Sequence, residues 1–312
     1  MEQILTLTIN PAIDISTSVE RVQPSFKLRC SAQQRDPGGG GINVARVVRR
    51  LGGDVTAIYT CGGATGELLR RLVEDEQIPC CTSTIKEETR EDFTVNERST
   101  GQQFRFVLPG PSLSEPEWRA CLNALAATST KPAYLVASGS LPPGVPVDFY
   151  ARVSRIAREW GTRLVVDTSG PPLVAALEEG VYLAKPNLRE LSEFVGRPLP
   201  EEADWVEAGS RLIEKRHVEL LALSLGHRGG MLFTRDAIWR SPPQPIKPVS
   251  TVGAGDSFLG GMVFGLATGR SAVDAFRLGT AAGSAALLQP GTELCHREDL
   301  ERIYRDVTAV RI

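Results

Sequence analysis

The stretch PGGGGINVARVVRRLGGDVTAIY, residues 37–59, holds a glycine run, a helix pattern and a strand in direct succession. Val44, Val47, Val48 and Leu51 recur at i, i+3, i+4 and i+7, one face of a helix, and Gly52 and Gly53 end the pattern. Residues 55–59 follow as a short strand. Upstream, residues 4–9 alternate apolar side chains with Thr, which suits another. The rest of the chain repeats this unit. Strand-like runs at 134–137, 164–166 and 220–223 alternate with helical stretches at 147–160 and 201–215. Such alternation predicts an α/β domain with a mostly parallel central sheet covered by helices. No internal repeat or low-complexity segment interrupts it.

Residues 93–107, FTVNERSTGQQFRFV, break the pattern with two strand-like runs around Ser99, Thr100 and Gly101. Gly101 can supply the positive φ that a tight hairpin turn needs. Residues 15–33 also lack helical periodicity. Two segments, about 15–33 and 90–107, are therefore expected to form a small β-sheet lid on a single domain spanning residues 1–312, closing over the site to exclude water. An edge hairpin of the main sheet is the plainer alternative. Phe104 and Phe106 would leave an isolated lid with exposed apolar edges, so a homodimer through the lid is expected.

The chain has 312 residues, 42% of them hydrophobic, and a net charge of -2 from 35 basic and 37 acidic residues. No basic excess argues for a nucleic-acid or anionic-membrane partner. Any anion must be held locally, by side chains and backbone amides. The six cysteines form no CxxC pair, and the three histidines show no metal-binding spacing, so neither a disulfide framework nor a zinc site is expected. The N-terminal apolar run is short and broken by Asn10 and Pro11, unlike a signal peptide, and nothing downstream is long enough to span a membrane. A cytoplasmic location is the expectation.

The chemistry concentrates in STVGAGDSFLGG, residues 250–261, which opens a helix running to about Leu266. Gly253 and Gly255 allow close backbone approach. The free N–H groups of a helix start, reinforced by its dipole, bind phosphate well. Asp256 stands beside this anion hole, where a carboxylate can take the proton of an attacking hydroxyl. Its alternative role is a helix cap. The third glycine of a dinucleotide fingerprint would fall at Phe258, and no Gly-Lys pair offers a Walker A loop. PGGGGIN, residues 37–43, makes a second backbone cradle for a polyol or phosphate, with Asn43 able to bond hydroxyls. In KPNLRE, residues 185–190, Asn187 and Glu190 share one face of a helical turn, and the carboxylate could hold a magnesium-bound water; an ordinary surface helix start is the alternative. SLGHRGG (224–230) and SGSLPPG (138–144) each end a strand, the place where open α/β sheets bind ligands.

NPAID (10–14), PGGGGIN, SGSLPPG, KPNLRE and TVGAGD (251–256), in this order, resemble the ribokinase-like PfkB family of carbohydrate kinases. KLRC (27–30), PGGGGINVAR (37–46) and FRFVLPG (104–110) are similar to the branch that phosphorylates fructose 6-phosphate, whereas NPAID is nearer to kinases of fructose 1-phosphate and tagatose 6-phosphate. The resemblance implies a three-layer fold and an ATP-dependent 6-phosphofructokinase reaction, with those two kinase activities as alternatives. A non-catalytic sugar-phosphate sensor is the rival of another class, opposed by Asp256 and the intact Gly-Ala-Gly loop. The resemblance makes Asp256 the base and Gly253, Ala254 and Gly255 the anion hole. Asp14, Gly38, Gly39, Asn43 and Gly139 would hold the sugar. Lys27, reaching across a dimer, and Arg90 would hold its phosphate. Lys185, Asn187, Ser224, Gly226, Gly229 and Ser284 would face ATP, with Glu190 on its Mg2+ through water. Ser250, Val252, Ala286, Gln289 and Gly291 would surround a monovalent cation such as K+.

Overall fold

The computed structural model describes residues 1–128 and 131–312. Its first part runs β1 (Ile4–Thr8), β2 (Ala12–Val19), β3 (Gln34–Gly38), α1 (Gly40–Arg50), β4 (Val55–Cys61), α2 (Gly63–Asp75) and β5 (Cys80–Thr84). Next come β6 (Arg90–Glu97), β7 (Gln103–Phe106), α3 (Glu115–Ala126), β8 (Tyr134–Ser138), α4 (Phe149–Trp160), β9 (Arg163–Asp167), α5 (Pro171–Glu179) and β10 (Val181–Ala184). The last part holds α6 (Leu188–Val195), α7 (Glu202–Glu214), β11 (Val218–Ser224), β12 (Gly230–Phe233), β13 (Ile238–Ser241), α8 (Ala254–Ala267), α9 (Ala272–Ala286), α10 (Arg297–Tyr304) and β14 (Val310–Arg311).

Ten strands form one sheet in the order β14-β13-β12-β11-β10-β9-β8-β1-β4-β5. From β11 to β5 every pairing is parallel; β12 to β14 add an antiparallel edge. Alternate residues of a strand point to opposite faces, and here both faces are covered. In β8, Leu135 and Ala137 pack with Trp118, Phe149 and Val153 on one side. Tyr134 and Val136 pack with Ile42, Val44 and Leu259 on the other. The result is the expected helix–sheet–helix sandwich. The parallel strands β1, β8, β10 and β11 end at one rim, where NPAID, SGSLPPG, KPNLRE and SLGHRGG follow or close them; TVGAGD comes after β13, and PGGGGIN runs from β3 into α1.

A second, four-stranded sheet has the order β3-β2-β6-β7, its strands inserted in the sequence between elements of the large sheet. β2 pairs in parallel with β6 and antiparallel with β3, and β6 with β7 forms the expected hairpin. Its first segment is wider than residues 15–33. NPAID runs directly into β2, and Pro37 and Gly38 are the last residues of β3, not a free loop ahead of α1. Residues 20–33 form the connection between these strands. Phe106 is 55% exposed as expected, but Phe104, paired opposite Val95, is half-buried. Among the described residues no helix is long and apolar enough to cross a membrane.

Candidate active site

Gly253 is the N-cap of α8, with φ 73° and ψ 0° in the left-handed region. A side chain there would be strained, and its Cβ would fall 2.5 Å from Leu294 Cδ2. The first intrahelical bond of this turn is Ser257 N–H to Gly253 O, 2.8 Å, which leaves the preceding amides of Ala254, Gly255 and Asp256 to point out of the helix start. Asp256 does not cap the helix. Its Oδ2 instead accepts from Asn43 Nδ2 at 2.8 Å, a bond between residues far apart in the chain. Burial, followed by the charge of Asp167, pushes the Asp256 carboxyl up to about 6; Asn43, Lys185 and Arg105 hold it from rising further.

Asn43 sits in the first turn of α1, so α1 and α8 bring the two glycine-rich motifs face to face. Asp14, in β2, is directly opposite Asp36 of β3 and Asp92 of β6. This row of carboxylates raises the cost of ionising the middle one. Burial first, then Asp92 and Asp256, push Asp14 up to about 7, with Arg46 and Arg105 opposing. Gly38 leaves the room that Asp14 occupies: a Cβ there would lie 2.5 Å from Asp14 Cγ. Gly39 is the N-cap of α1. Gly139 donates to Asp167 O at 2.9 Å, tying the ends of β8 and β9 together beside the cleft.

Arg90 opens β6. Its Nη1 donates to Leu108 O at 2.6 Å and its Nη2 to Asn10 O at 3.2 Å, and it pairs with Asp92 at 3.3 Å. Its Nε is buried without a partner. Lys27 stands apart from Arg90 in this respect: it is exposed, in the connection between β2 and β3.

On the other side of Asp256, buried Lys185 pairs with Asp167 at 3.2 Å. Burial lowers the Lys185 ammonium's affinity for its proton, but Asp167 and Asp256 outweigh it and the net shift is upward. Asn187 and Glu190 form a reciprocal capping box at the start of α6: Glu190 N–H donates to Asn187 Oδ1 and Asn187 N–H to Glu190 Oε2, each 2.9 Å. Oε2 of Glu190 is thus engaged, and Oε1 takes no part in the box. Glu190 is pushed up by burial and by Asp167, although the Asn187 N–H opposes. Asp167 raises the Glu190 carboxyl, a repulsion that a nearby divalent cation would relieve, so Glu190 with Asp167 fits the implied magnesium. An isolated bridge between Asn187 and Ser224 joins the two loops of the nucleotide side. Gly226 starts the short turn after β11, and Gly229 follows it. Ser284 is half-buried on α9, next to Gly283, whose Cβ would meet Ala254 O at 3.0 Å.

The backbone proposed around a monovalent cation also converges. Val249 N–H reaches Leu287 O at 2.7 Å, and Ser250 Oγ donates to Gly291 O at 3.1 Å. Val252 N–H donates to Ser250 Oγ at 3.2 Å, and Gln289 N–H to Ala286 O at 3.1 Å. These carbonyls retain a second lone pair, and the segments that carry them lie against the start of α8.

Asp167, Arg105 and Gln103 are among the residues at the site that were not singled out from the sequence. Asp167 ends β9, and a polar residue closing an apolar strand run is a usable signal. Arg105, from the lid hairpin, faces both Asp14 and Asp256 and draws their charge. Gln103 links the lid to the anion-binding loop, donating to Ser250 Oγ at 3.2 Å and to Asn96 Oδ1 at 2.9 Å. Both lie in an alternating hairpin whose inward face no local pattern reveals.

The PfkB family carbohydrate kinase model matches residues 5–299. ATP-dependent 6-phosphofructokinase isozyme 2 of Mycobacterium tuberculosis is 48% identical over 97% of this chain and 89% of that protein. The isozyme 2 of Escherichia coli is 42% identical over 97% of this chain and 98% of that protein. The E. coli phosphofructokinase-2 solved with potassium superposes with a TM-score of 0.94 at 42% identity, covering 98% of this chain and 99% of that one. Its complex with fructose 6-phosphate gives 0.92 at 40% identity, covering 98% and 99%. That protein has also been solved as a tetrameric inhibited form.

Proposed function

Because this chain belongs to the PfkB family of carbohydrate kinases, we propose that it is an ATP-dependent 6-phosphofructokinase converting fructose 6-phosphate to fructose 1,6-bisphosphate. The observation that carries the reading is Asp256: a carboxylate pushed up to about 6, oriented by Asn43, beside the free amides of a helix start.

The sugar lies between the glycine cradle of α1 and the lid, its hydroxyls against Asp14 and Asn43. Its C1 hydroxyl attacks the γ-phosphorus of ATP. The P–O bond to ADP breaks as the new O–P bond forms, and Asp256 takes the hydroxyl proton. The amides of Ala254, Gly255 and Asp256 meet the transferring group's charge, which is worth most in a site closed to water. Lys185 faces the ATP phosphates. Arg90, with a buried unpartnered Nε, reaches the sugar's own phosphate, and Lys27 joins it from a second subunit. Magnesium, near Glu190 and Asp167, would neutralise charge on the ATP phosphates. Potassium, at Ser250, Val252, Ala286, Gln289 and Gly291, would fix the amide cradle.

We further propose a homodimer through the lid. Phe93, Phe106, Val107 and Leu108 are 39 to 58% exposed on and just beyond one hairpin, an apolar edge that association would cover. The reaction belongs in the cytoplasm, where ATP is supplied.

A coupled ADP-release assay over fructose 6-phosphate, fructose 1-phosphate, tagatose 6-phosphate and free fructose tests the reading. The highest kcat/KM should fall on fructose 6-phosphate. A higher value on fructose 1-phosphate or tagatose 6-phosphate would replace the substrate but not the chemistry. No turnover on any sugar, with sugar phosphate still bound, would favour a sensor.

A further inference from the structure

Arg46 is the largest fully buried side chain of the described residues, with 1% of its side chain exposed. A buried guanidinium is costly unless each donor is used. Here the donors are shared among four segments. Nε reaches Glu76 Oε1, just past α2, at 2.9 Å. Nη1 reaches Pro37 O of β3 at 3.1 Å, Thr292 O at 3.2 Å and Asn43 Oδ1 of its own helix at 3.3 Å. Nη2 pairs with Asp36 Oδ1 of β3 at 3.5 Å, and Asp36 in turn accepts from Thr292 Oγ1 at 3.0 Å. One side chain therefore joins a lid strand, the sugar cradle, α2 and the loop that follows Gly291.

The contact with Asn43 matters most. An amide has one accepting and one donating end. With Oδ1 turned to the Arg46 guanidinium, Nδ2 must point the other way, and it donates to Asp256 Oδ2. Without a cation on Oδ1, a flipped amide would set its oxygen against the Asp256 carboxylate.

We propose that Arg46 is a positioning residue for phosphoryl transfer, holding the Asn43 amide in the orientation that donates to the catalytic Asp256 and tying it to the lid strand β3. This rests on the kinase reading above. The charged groups facing Asp256 are Asp167 at the end of β9, Lys185 after β10, Arg105 of β7 and Asp14 of β2; those facing Arg46 are Asp36, Glu76 and Asp14. Among the described residues, Asn43 is the side chain that donates a hydrogen bond to the Asp256 carboxylate.

Arg46→Lys keeps the charge but cannot make the forked set of bonds. It should lower kcat by about tenfold to a hundredfold, the loss expected from one charged hydrogen bond, with a much smaller change in the KM for fructose 6-phosphate. Its acid limb of kcat against pH should move to higher pH, since Asn43 no longer stabilises the Asp256 carboxylate. In an Asn43→Ala background the same change should cost little further in kcat, because the two act through one chain of bonds. A folded Arg46→Lys enzyme with the parent's kcat and pH profile, or losses that multiply in the double variant, would overturn the proposal. A measurement on the unaltered protein decides the matter if the variant fails to fold. The Asn43 side-chain amide should give a shifted, slowly exchanging NMR pair that moves as Asp256 titrates; a free-amide shift with fast exchange refutes the bond. The NMR result does not depend on turnover, so it separates this proposal from the kinase reading.

Discussion

The two sheets of this protein treat negative charge in opposite ways. The large sheet ends in a rim where backbone does the work: the start of α8 offers unpaired amides, and the only carboxylate of that turn is Asp256. The small sheet carries its chemistry on side chains, with Asp36, Asp14 and Asp92 in one row and Arg90 and Arg105 beside them. Amides of a helix start suit any phosphoryl group, whatever molecule brings it. Charged side chains in a fixed row recognise one arrangement of hydroxyls and phosphate. On the proposed function this difference would give catalysis to the rim and selection to the lid, and a residue's sheet would then predict which kinetic constant it governs.

The largest effect expected is on the rim. Asp256→Asn should bind ATP and sugar phosphate nearly normally while kcat falls at least about a hundredfold, the scale of a lost general base. Near-normal turnover would remove Asp256 from the mechanism and dissolve the contrast.

The lid should act on KM instead. Arg90→Ala and Lys27→Ala should each raise the KM for fructose 6-phosphate about tenfold to a hundredfold, since a charged hydrogen bond contributes roughly 1.5–3 kcal/mol. Any turnover of free fructose, which has no phosphate to lose, should not change. Equal losses on both sugars would mean that these residues support the fold and not phosphate recognition.

Acid sharpens the same contrast. Asp256 must be ionised to accept a proton, so kcat/KM should fall as pH drops through about 6, roughly tenfold per unit well below it. Stability should run the other way across this window. The carboxyls of Asp14 and Asp256 are raised in the folded state, to about 7 and about 6, above their unfolded value. Between that value and the raised ones, the folded protein binds protons that the unfolded chain does not. Their contribution to stability therefore grows as pH falls from about 8 to about 5. A kcat/KM profile flat down to pH 5, measured alongside thermal melts, would contradict the ionisation of Asp256.

Glu190→Gln should give a smaller change, raising the magnesium needed for half-maximal rate while the sugar KM stays put. The capping bond from Asn187 survives in the glutamine variant, so a fall in melting temperature is not expected. An unchanged magnesium titration would leave Glu190 as a cap alone. The last effect is on assembly: Phe106→Ser should lower the fraction of the proposed dimer in a light-scattering measurement, and a parent protein that is an active monomer at micromolar concentration would break the lid-interface proposal.

Much of this was legible before any coordinates. The period of Val44, Val47, Val48 and Leu51 marked α1, and the alternating strand and helix runs marked a parallel sheet covered on both sides, because burial on two faces leaves continuous apolar strands. The glycines of 253–255 marked an anion-binding helix start, because local backbone freedom and free amides are properties of a few consecutive residues. Whether Asp256 caps its helix or serves as a base was not legible, since both roles suit the same residue at the same place. The structure shows that Asp256 makes no cap bond and accepts instead from Asn43, at the far end of the chain. The same holds for the row of Asp14, Asp36 and Asp92, for Asp167 beneath Lys185, for Arg105 and Gln103 reaching down from the lid, and for Arg46 at the junction of four segments. Hydrophobic periodicity and turn chemistry act between near neighbours and can be read along the chain. Strand register and the meeting of helix ends depend on how the two sheets pack, and only that packing brings opposite or like charges within reach of one another.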